Sequence, residues 1–453
     1  MTLLSCFGFA LVLCAACAER ASPAGHAPAE PQLAGGGAAS SGNDAGATGS
    51  DPTPGGSPSN PDTPPGPLKL VLEELPLAGE PQAGTEIAFV PGTAQLLLLS
   101  QTGRVIRYEL QGDGFVHVDE VQLPDVAGYD DCGLVSVAFD PDFASNGFVY
   151  FGHCTSGIAS RITRYAWLDE ALDSMLSTER EIIFVEEPNA TRPWHNVGAI
   201  GFDETGALWA QFGEKTVQSN SQDPSRDLGK LLRIMPDPDA PGGHVPAPDN
   251  PWLDDASADP DVYALGLRSP WKGVYDPRQH RWLIGDVGAS DIEELDLVST
   301  AAQNFGWPTA EGPCEGVHDA SVCAGLTEPL IAYPHVNQGR YVEEDPDSAP
   351  TLSRAIWVAG PFSALAEDDP YAGRLDGRFL FGDMFAGWVR SLELDDSGGI
   401  VADELVGHLR FATAWAQGPD GYVYGIRFGD YKGHSDDPRA RLYRALPADA
   451  SDR

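Results

Sequence analysis

Short runs of alternating apolar and polar residues, separated by Gly, Asp and Pro, fill residues 68–446 of this chain. An alternation of period two predicts half-buried β-strands, and the turn residues between the runs predict tight hairpins. Helical periodicity is scarce, and only residues 169–177 predict a short helix. The hydrophobic pattern therefore predicts an all-β fold.

One unit of this pattern recurs six times. Each unit has an apolar run that enters a Phe-x-Pro turn or its equivalent, then a second apolar strand, then a third strand with Arg beside an apolar residue. The first strands lie at 87–91, 137–141, 200–203, 273–277, 355–358 and 415–419. Six antiparallel units predict a six-bladed β-propeller over residues 68–447, with long loops on one face and a tail at 448–453. A two-sheet sandwich would share the alternation but not the repeated turn.

An export signal and a linker precede the predicted propeller. Residues 3–16 form one apolar run that is too short to span a bilayer, and residues 1–16 predict a signal peptide. Small residues before Cys17 resemble a bacterial lipobox, in which the cysteine is lipidated; a plain secretory signal is the alternative. Residues 18–67 are rich in Ala, Gly, Ser and Pro and predict a disordered linker. By the sorting rules of lipoproteins, Ala18 predicts the outer membrane.

The charge balance excludes two classes of partner. The chain has 28 Lys and Arg against 67 Asp and Glu, which is a formal charge of −39. A nucleic acid requires a basic surface that replaces its counterions, and an anionic lipid surface repels so acidic a protein. We therefore expect no nucleic-acid partner, and membrane association only through the lipid anchor.

Four cysteines follow the export segment, namely Cys132, Cys154, Cys314 and Cys323. In an exported domain they predict two disulfides, most simply Cys132–Cys154 and Cys314–Cys323, although the sequence permits three pairings. A cysteine-ligated metal site is the alternative, but no CxxC spacing accompanies these residues.

Several motifs of the predicted propeller occur in the order in which one known family carries them. They are GLVSVAFDPDF at 133–143, HNVG at 195–198, GEK at 213–215, DLGKLLRI at 227–234, ALGLRSPW at 264–271, GDVG at 285–288, EE at 293–294, NFGWP at 304–308 and GRFLFGD at 377–383. In these motifs the chain resembles the glucose/sorbosone dehydrogenase family. That resemblance implies a six-bladed propeller and a relation to soluble dehydrogenases that depend on pyrroloquinoline quinone (PQQ).

The resemblance implies a catalytic base at His195. In the family's dehydrogenases, a His at the start of the third blade removes a hydroxyl proton while hydride passes to the quinone, and His195 matches that position. A neutral imidazole suits this task because its ordinary pKa lies near the working pH. Trp194 stands where catalytic members place Asp or another polar residue. The alternative is a structural His that caps a strand.

The resemblance also implies cations around the cofactor, because PQQ carries three carboxylates and a quinone oxygen that becomes negative on reduction. Lys215 stands where related dehydrogenases carry an Arg for the quinone, and Arg268 is the second candidate. An exposed surface Lys and a turn-stabilising Arg are the alternatives. Asp383 occupies a position in the fifth unit where catalytic members often place cations.

A calcium ion is expected near Gly288 and Ala289. Residues 285–294 offer carboxylates and turn carbonyls, the hard oxygens that Ca²⁺ binds. In the family, the carbonyls of a Gly-Pro turn that matches Gly288 and Ala289 hold the calcium ion that bridges to the quinone.

Three hypotheses follow. The first is a lipid-anchored, exported, PQQ-dependent dehydrogenase that oxidises an aldose or a sorbosone-like sugar and passes electrons to an acceptor. The second is a non-catalytic surface propeller of the same family that binds carbohydrate or protein. The third is a calcium-dependent hydrolase of the lactonase type, since other six-bladed propellers hold a central metal that activates water.

Overall fold

The computed structural model describes residues 66–450, except 170, 315–316, 336–338, 346, 348–352, 365–368 and 434–436. The predicted signal peptide, Cys17 and nearly all of the linker lie outside the described residues. The described residues belong to one unit of the chain, Pro64–Arg453. Within them, no helix is long and apolar enough to cross a membrane.

The described residues form 25 strands in six antiparallel sheets, which are the blades of the predicted propeller. Strand β1 is Leu70–Leu75. Blade 1 holds β2 Gly84–Phe89, β3 Gln95–Ser100, β4 Arg104–Gln111 and β5 Gly114–Gln122; blade 2 holds β6 Leu134–Phe139, β7 Phe148–Cys154, β8 Ser160–Ala166 and β9 Arg180–Val185; blade 3 holds β10 Val197–Phe202, β11 Leu208–Phe212, β12 Lys230–Pro236, β13 His244–Pro246 and β14 Val262–Leu265. Blade 4 holds β15 Pro270–Asp276, β16 Arg281–Asp286, β17 Ile292–Val298 and β18 Ile331–Pro334; blade 5 holds β19 Ile356–Ala359, β20 Phe379–Asp383, β21 Trp388–Leu394 and β22 Ile400–His408; blade 6 holds β23 Ala412–Gln417, β24 Val423–Arg427 and β25 Arg441–Pro447.

The two ends of the propeller meet in blade 6. Strand β1 pairs with β25, with Leu70 opposite Pro447 and Leu75 opposite Leu442, so it supplies the outer strand of that blade. The first strand of every blade contacts the first strand of the next, and β23 returns to β2. This closed ring of six inner strands surrounds a central channel.

The blades bury both faces of their middle strands. In β3, Leu96 and Leu98 face the core shared with blade 6, while Leu97 and Leu99 face the core shared with blade 2. All four leucines are fully buried. Both faces of such a middle strand pack against neighbouring blades, so its sequence is a continuous apolar run instead of an alternating one.

The repeated Asp that follows many first strands has a local structural role. Asp203 Oδ1 accepts hydrogen bonds from the backbone N–H groups of Thr205 and Ala207, at 2.9 and 3.2 Å. Asp140 and Asp276 accept N–H groups two residues ahead in the same way. These side chains close the hairpin between the first and second strands, which explains the repeated turn in the sequence.

Two details differ from the sequence prediction. Residues 169–177 were expected to form a helix, but the structure has a 3₁₀ turn at Leu172–Thr178. Short helices α1 and α2 lie at Phe143–Asn146 and Arg340–Glu343, and further 3₁₀ turns lie at Gln218–Gln222 and Ala448–Ala450. Each blade also has a fourth, outer strand that the predicted three-strand unit lacked. Outer strands such as β5 alternate between buried and exposed positions, so their hydrophobic pattern in the sequence is weaker.

Both predicted disulfides are confirmed. Cys132 and Cys154 are bonded with their Cα atoms 5.3 Å apart, and Cys314 and Cys323 are bonded with theirs 5.9 Å apart. The first bond joins the loop before β6 to the end of β7 and is buried. It therefore secures the rim of blade 2 at the channel mouth.

Candidate active site

A cavity of about 160 Å³ lies at the end of the channel where the inner strands of the blades begin. All six blades contribute to its wall, through residues at or next to the first positions of β2, β6, β10, β15, β19 and β23. Its aromatic wall consists of Trp271, Phe385, Phe428 and Tyr431. A concave, largely apolar site with a few converging polar groups is the usual form of a ligand site.

His195 lines this cavity at the start of blade 3, as the sequence predicted. Its Nδ1 lies 2.5 Å from Oε1 of Glu214, a carboxylate that is almost fully buried. Among the described residues, none forms a hydrogen bond with the other ring nitrogen, Nε2. With Nδ1 bound to the carboxylate, Nε2 is the nitrogen that is left for a ligand.

The backbone around this pair is tightly constrained. A Cβ on Gly213 would lie 2.5 Å from the carbonyl carbon of His195, so only glycine allows the two segments to approach. His195, Lys215 and Thr216 all adopt positive φ, at 55°, 58° and 61°. Non-glycine residues in this region carry strain that concentrates at functional sites. Glu214 was missed in the sequence as a functional residue, although it belongs to the GEK motif.

Lys215 does not line the cavity. Its ammonium donates to the backbone carbonyl of Ile158 at 2.6 Å and to Oδ1 of Asn196 at 2.5 Å, and the side chain is fully buried. This burial lowers the pKa of Lys215 to about 7. Asn196 does line the cavity, so Lys215 positions a lining residue instead of meeting a ligand itself.

Arg268 lies behind the cavity wall. Its Nη1 donates to the carbonyl oxygens of Val287 and Gly288, each at 2.6 Å, and its guanidinium lies 5.3 Å from the centre of the Trp307 ring. The side chain therefore holds the loop that follows β16. Of the predicted ligand-binding cations, neither Arg268 nor Lys215 directs its charge into the cavity.

The turn predicted to bind calcium uses its polar groups within the protein. The Gly288 carbonyl already accepts from the Arg268 guanidinium, and the Ala289 N–H donates to Oε1 of Glu311 at 2.7 Å. A divalent cation at the Gly288 oxygen would stand beside a positive guanidinium. The residues that are present do not fit a calcium ion at that oxygen.

Asp383 also differs from its expected role. It is fully buried at the end of β20, where Oδ1 accepts the N–H groups of Phe385 and Ala386 at 2.9 and 2.7 Å. Oδ2 accepts the hydroxyl of Tyr333 at 2.9 Å. The carboxylate stands where catalytic members often place cations, and here it shapes the loop that places Phe385 in the cavity wall.

Sequence reasoning missed most of the polar lining residues, including Gln101, Asp130 and Asp131. Asp131 Oδ1 accepts the hydroxyl of Tyr431 at 2.7 Å, and Lys432 lies 3.4 Å from both carboxylates. These residues lie in loops before first strands and after second strands. In a propeller, the loops before first strands and after second strands meet at one rim. Membership of these loops was the only sequence signal that could have identified the lining residues.

Lys272 crosses the channel beneath the cavity. From β15 in blade 4, its ammonium donates to the carbonyls of Thr85 in blade 1 and Val135 in blade 2, at 3.0 and 3.1 Å. It also lies 2.8 Å from Oε2 of Glu86, and it is 4% exposed. Lys272 therefore ties three inner strands together across the channel.

Three buried carboxylates form the one cluster among the described residues that is arranged to hold a cation: Asp286, Glu294 and Asp296. One oxygen from each lies within 4.8 Å of the others. Burial raises the pKa of Asp286 to about 7 and that of Glu294 to about 8, and it also raises the pKa of Asp296. Neither oxygen of Asp296 has a hydrogen-bond partner among the described residues. Burial and the mutual repulsion of the three groups favour their protonated forms.

We predict that Asp296→Asn stabilises the protein more at pH 8 than at pH 5. The folded protein keeps protons on these carboxylates that the unfolded chain releases above its pKa near 4, so stability falls as the pH rises from about 4 to about 8. Removing one acid should raise the free energy of unfolding by about 1–3 kcal/mol at pH 8. Denaturant melts at both pH values measure this, with the exposed Asp254→Asn as the control. Equal effects at both pH values would contradict the prediction.

Comparisons with known proteins agree with this architecture. Uncharacterized protein slr1608 of Synechocystis is 25% identical over 323 residues, which cover 69% of this chain and 72% of that protein. Aldose sugar dehydrogenase YliI of Escherichia coli is 25% identical over 227 residues, which cover 49% of this chain and 58% of that enzyme.

Solved structures show the same fold. The PQQ-bound aldose sugar dehydrogenase of Streptomyces coelicolor has a TM-score of 0.61 at 22% identity, over 84% of this chain and 99% of that one. The apo aldose sugar dehydrogenase of Escherichia coli has a TM-score of 0.63 at 18% identity, over 84% and 100%. At these identities the likeness establishes the fold. The family model described as glucose/sorbosone dehydrogenase matches residues 82–428, more than half of the sequence, and the chain belongs to that family.

Proposed function

We propose that this protein is a sugar dehydrogenase that oxidises a hydroxyl-bearing carbon of an aldose or a sorbosone-like sugar. The observation that carries the proposal is the pair of His195 and Glu214 at the cavity, with a 2.5 Å contact between imidazole and carboxylate. A buried carboxylate that orients an imidazole in a ligand cavity is an arrangement for proton transfer. Membership of the family supports sugar as the substrate class.

His195 acts as the base in this proposal. Glu214 accepts a hydrogen bond from Nδ1–H, which leaves the lone pair on Nε2, and its charge stabilises the imidazolium that forms. Nε2 takes the proton of the sugar hydroxyl while hydride leaves the same carbon, so the C–O bond becomes C=O. The hydride passes to a quinone, which takes up one proton and becomes a hydroquinone.

The residues present do not fit PQQ as that quinone. Its three carboxylates require cations, but among the described residues that line the cavity there is no Lys or Arg, and Asp130 and Asp131 add negative charge. We therefore derive no step through PQQ. The same observation favours the second candidate, a propeller that binds a sugar without oxidising it.

A steady-state assay tests the proposal on the purified full-length chain. Aldoses are supplied with either PQQ and Ca²⁺ or a small uncharged benzoquinone, and hydroquinone and oxidised sugar are both measured. We expect sugar-dependent hydroquinone formation in equal amounts with oxidised sugar. Sugar binding by calorimetry without any oxidation would favour the second candidate instead.

We also propose that the protein is an exported lipoprotein anchored through Cys17. Two disulfides in the described residues support an oxidising compartment outside the cytoplasm. The intact mass of the protein extracted from membranes tests this, since lipidation adds acyl chains to an N-terminal Cys17.

A further inference from the structure

The charges around the cavity suggest which ligands it accepts. The charged or titratable side chains that line it, among the residues the structure describes, are Asp130, Asp131, His195 and Tyr431. Desolvating an anion beside two carboxylates is unfavourable unless cations compensate. The position of every nearby cation therefore decides whether an anionic ligand can bind.

Three cations next to the cavity wall are committed to oxygen atoms of the protein. Lys215 binds Ile158 and Asn196, Lys272 binds carbonyls of blades 1 and 2, and Arg268 binds the loop after β16. Since each ammonium or guanidinium already meets close acceptors, redirecting one would leave buried oxygens unpaired. These side chains brace the walls of the channel.

The cations nearer the rim are engaged as well. Arg410 Nε donates to the carbonyl of Phe385 at 3.1 Å, and its guanidinium lies 5.0 Å from the centre of the Phe411 ring. Lys432 lies 3.4 Å from both Asp130 and Asp131, so its charge is opposed by two carboxylates. The charge of Lys432 is therefore offset at the rim, and Arg410 holds the backbone of Phe385 without lining the cavity itself.

The remaining lining suits a neutral polyhydroxyl ring. Trp271 and Tyr431 contribute aromatic rings to the wall, which suits contact with the C–H surface of a sugar. Gln101 and the rim carboxylates offer hydrogen-bonding groups for its hydroxyls. Carboxylates accept hydrogen bonds from hydroxyl groups well, and these hydrogen bonds do not require a cationic partner.

We infer that this cavity is selective for uncharged ligands, a neutral sugar and an uncharged quinone, and that it excludes PQQ because its surrounding cations serve as internal braces. This inference rests on the proposed function for the identity of the sugar and the quinone class. The exclusion of PQQ follows from the charges alone. In this inference the chain keeps the propeller fold and the proposed base His195, but it differs from the PQQ-bound structural neighbour in the cofactor that it accepts.

Direct binding tests the inference without turnover. PQQ with Ca²⁺ is titrated into the full-length chain by equilibrium dialysis. The same titration is made with a double variant that carries Met384→Lys and Asp131→Asn, and with the single variant Met384→Leu. Met384 is buried and lines the cavity, so Met384→Lys adds a cation to the wall while Met384→Leu controls for the change in packing. We expect no saturable PQQ binding to the wild type and to Met384→Leu, and at least about tenfold tighter binding by the double variant.

The outcomes separate this inference from the proposed function. Saturable PQQ binding to the wild type, weakened by a neutral sugar that competes for the cavity, would overturn the inference while leaving the dehydrogenase intact. No PQQ binding together with oxidation by the uncharged benzoquinone would support both. No PQQ binding and no oxidation would support the inference and overturn the proposed function.

Discussion

His195→Ala is expected to lower kcat/KM for sugar oxidation by about 10²–10⁴-fold, because the hydroxyl proton then loses the base that Glu214 orients. Most of the loss should appear in kcat, since the aromatic wall that binds the sugar ring remains. Added imidazole should restore part of the activity by entering the space that the side chain leaves. Initial rates with and without imidazole measure both effects, and the melting temperature shows whether the variant is folded.

The chain contains a closely matched control at His280. This residue also has a positive φ, of 52°, and its Nδ1 lies 2.5 Å from Oε1 of Glu204. It lies in the turn between β15 and β16 and its side chain is exposed, away from the cavity. His280→Ala should therefore leave kcat/KM unchanged. An active His195→Ala enzyme, or the same loss in both variants, would remove His195 from the mechanism.

The second large effect is expected at Lys272. Lys272→Met should lower the free energy of unfolding by about 3–5 kcal/mol, because the partly buried Glu86 carboxylate and the buried carbonyls of Thr85 and Val135 lose their cation. Met conserves the length of the side chain, so lost packing contributes little. Denaturant unfolding followed by tryptophan fluorescence measures the loss.

Lys432→Met is the matched control for this measurement. Lys432 also faces two carboxylates, but its side chain is 41% exposed. An exposed pair contributes about 0–1 kcal/mol, so this variant should unfold almost like the wild type. If both variants lose the same stability, Lys272 is not the cross-channel brace that its contacts indicate.

The strands that sequence reasoning located best are those with the strongest burial. The predicted second strand of the first unit, 95–100, coincides with β3, whose four leucines are buried on both faces. Outer strands such as β5 and β22 were not predicted, because many of their positions are exposed to solvent and carry polar residues. Burial creates the hydrophobic signal, so it fades toward the edge of each blade.

Charged residues at strand ends were harder to interpret than strands. Lys215, Arg268 and Asp383 were all placed near the channel mouth, and all three lie there. Their side chains nevertheless point into the protein, where they form hydrogen bonds with backbone carbonyl or N–H groups. The direction of a side chain in a turn depends on the local φ and on partners in other blades, and neither can be seen in a linear pattern.

The sequence by itself determined the six-bladed all-β architecture, both disulfide pairings as the simplest choice, the family, and the placement of His195 at a functional position. These properties follow from periodicity, from cysteine spacing and from motifs whose residues are neighbours along the chain; for His195 they give its place at the start of the third blade, and its role as a base stays a prediction. The tertiary structure alone decided that Glu214 orients His195, that Lys272 spans the channel, and that the nearby cations do not face the cavity. The physical reason is that closing the ring brings polar groups of distant blades within hydrogen-bond distance, and a buried cation binds the nearest oxygens that have no other partner.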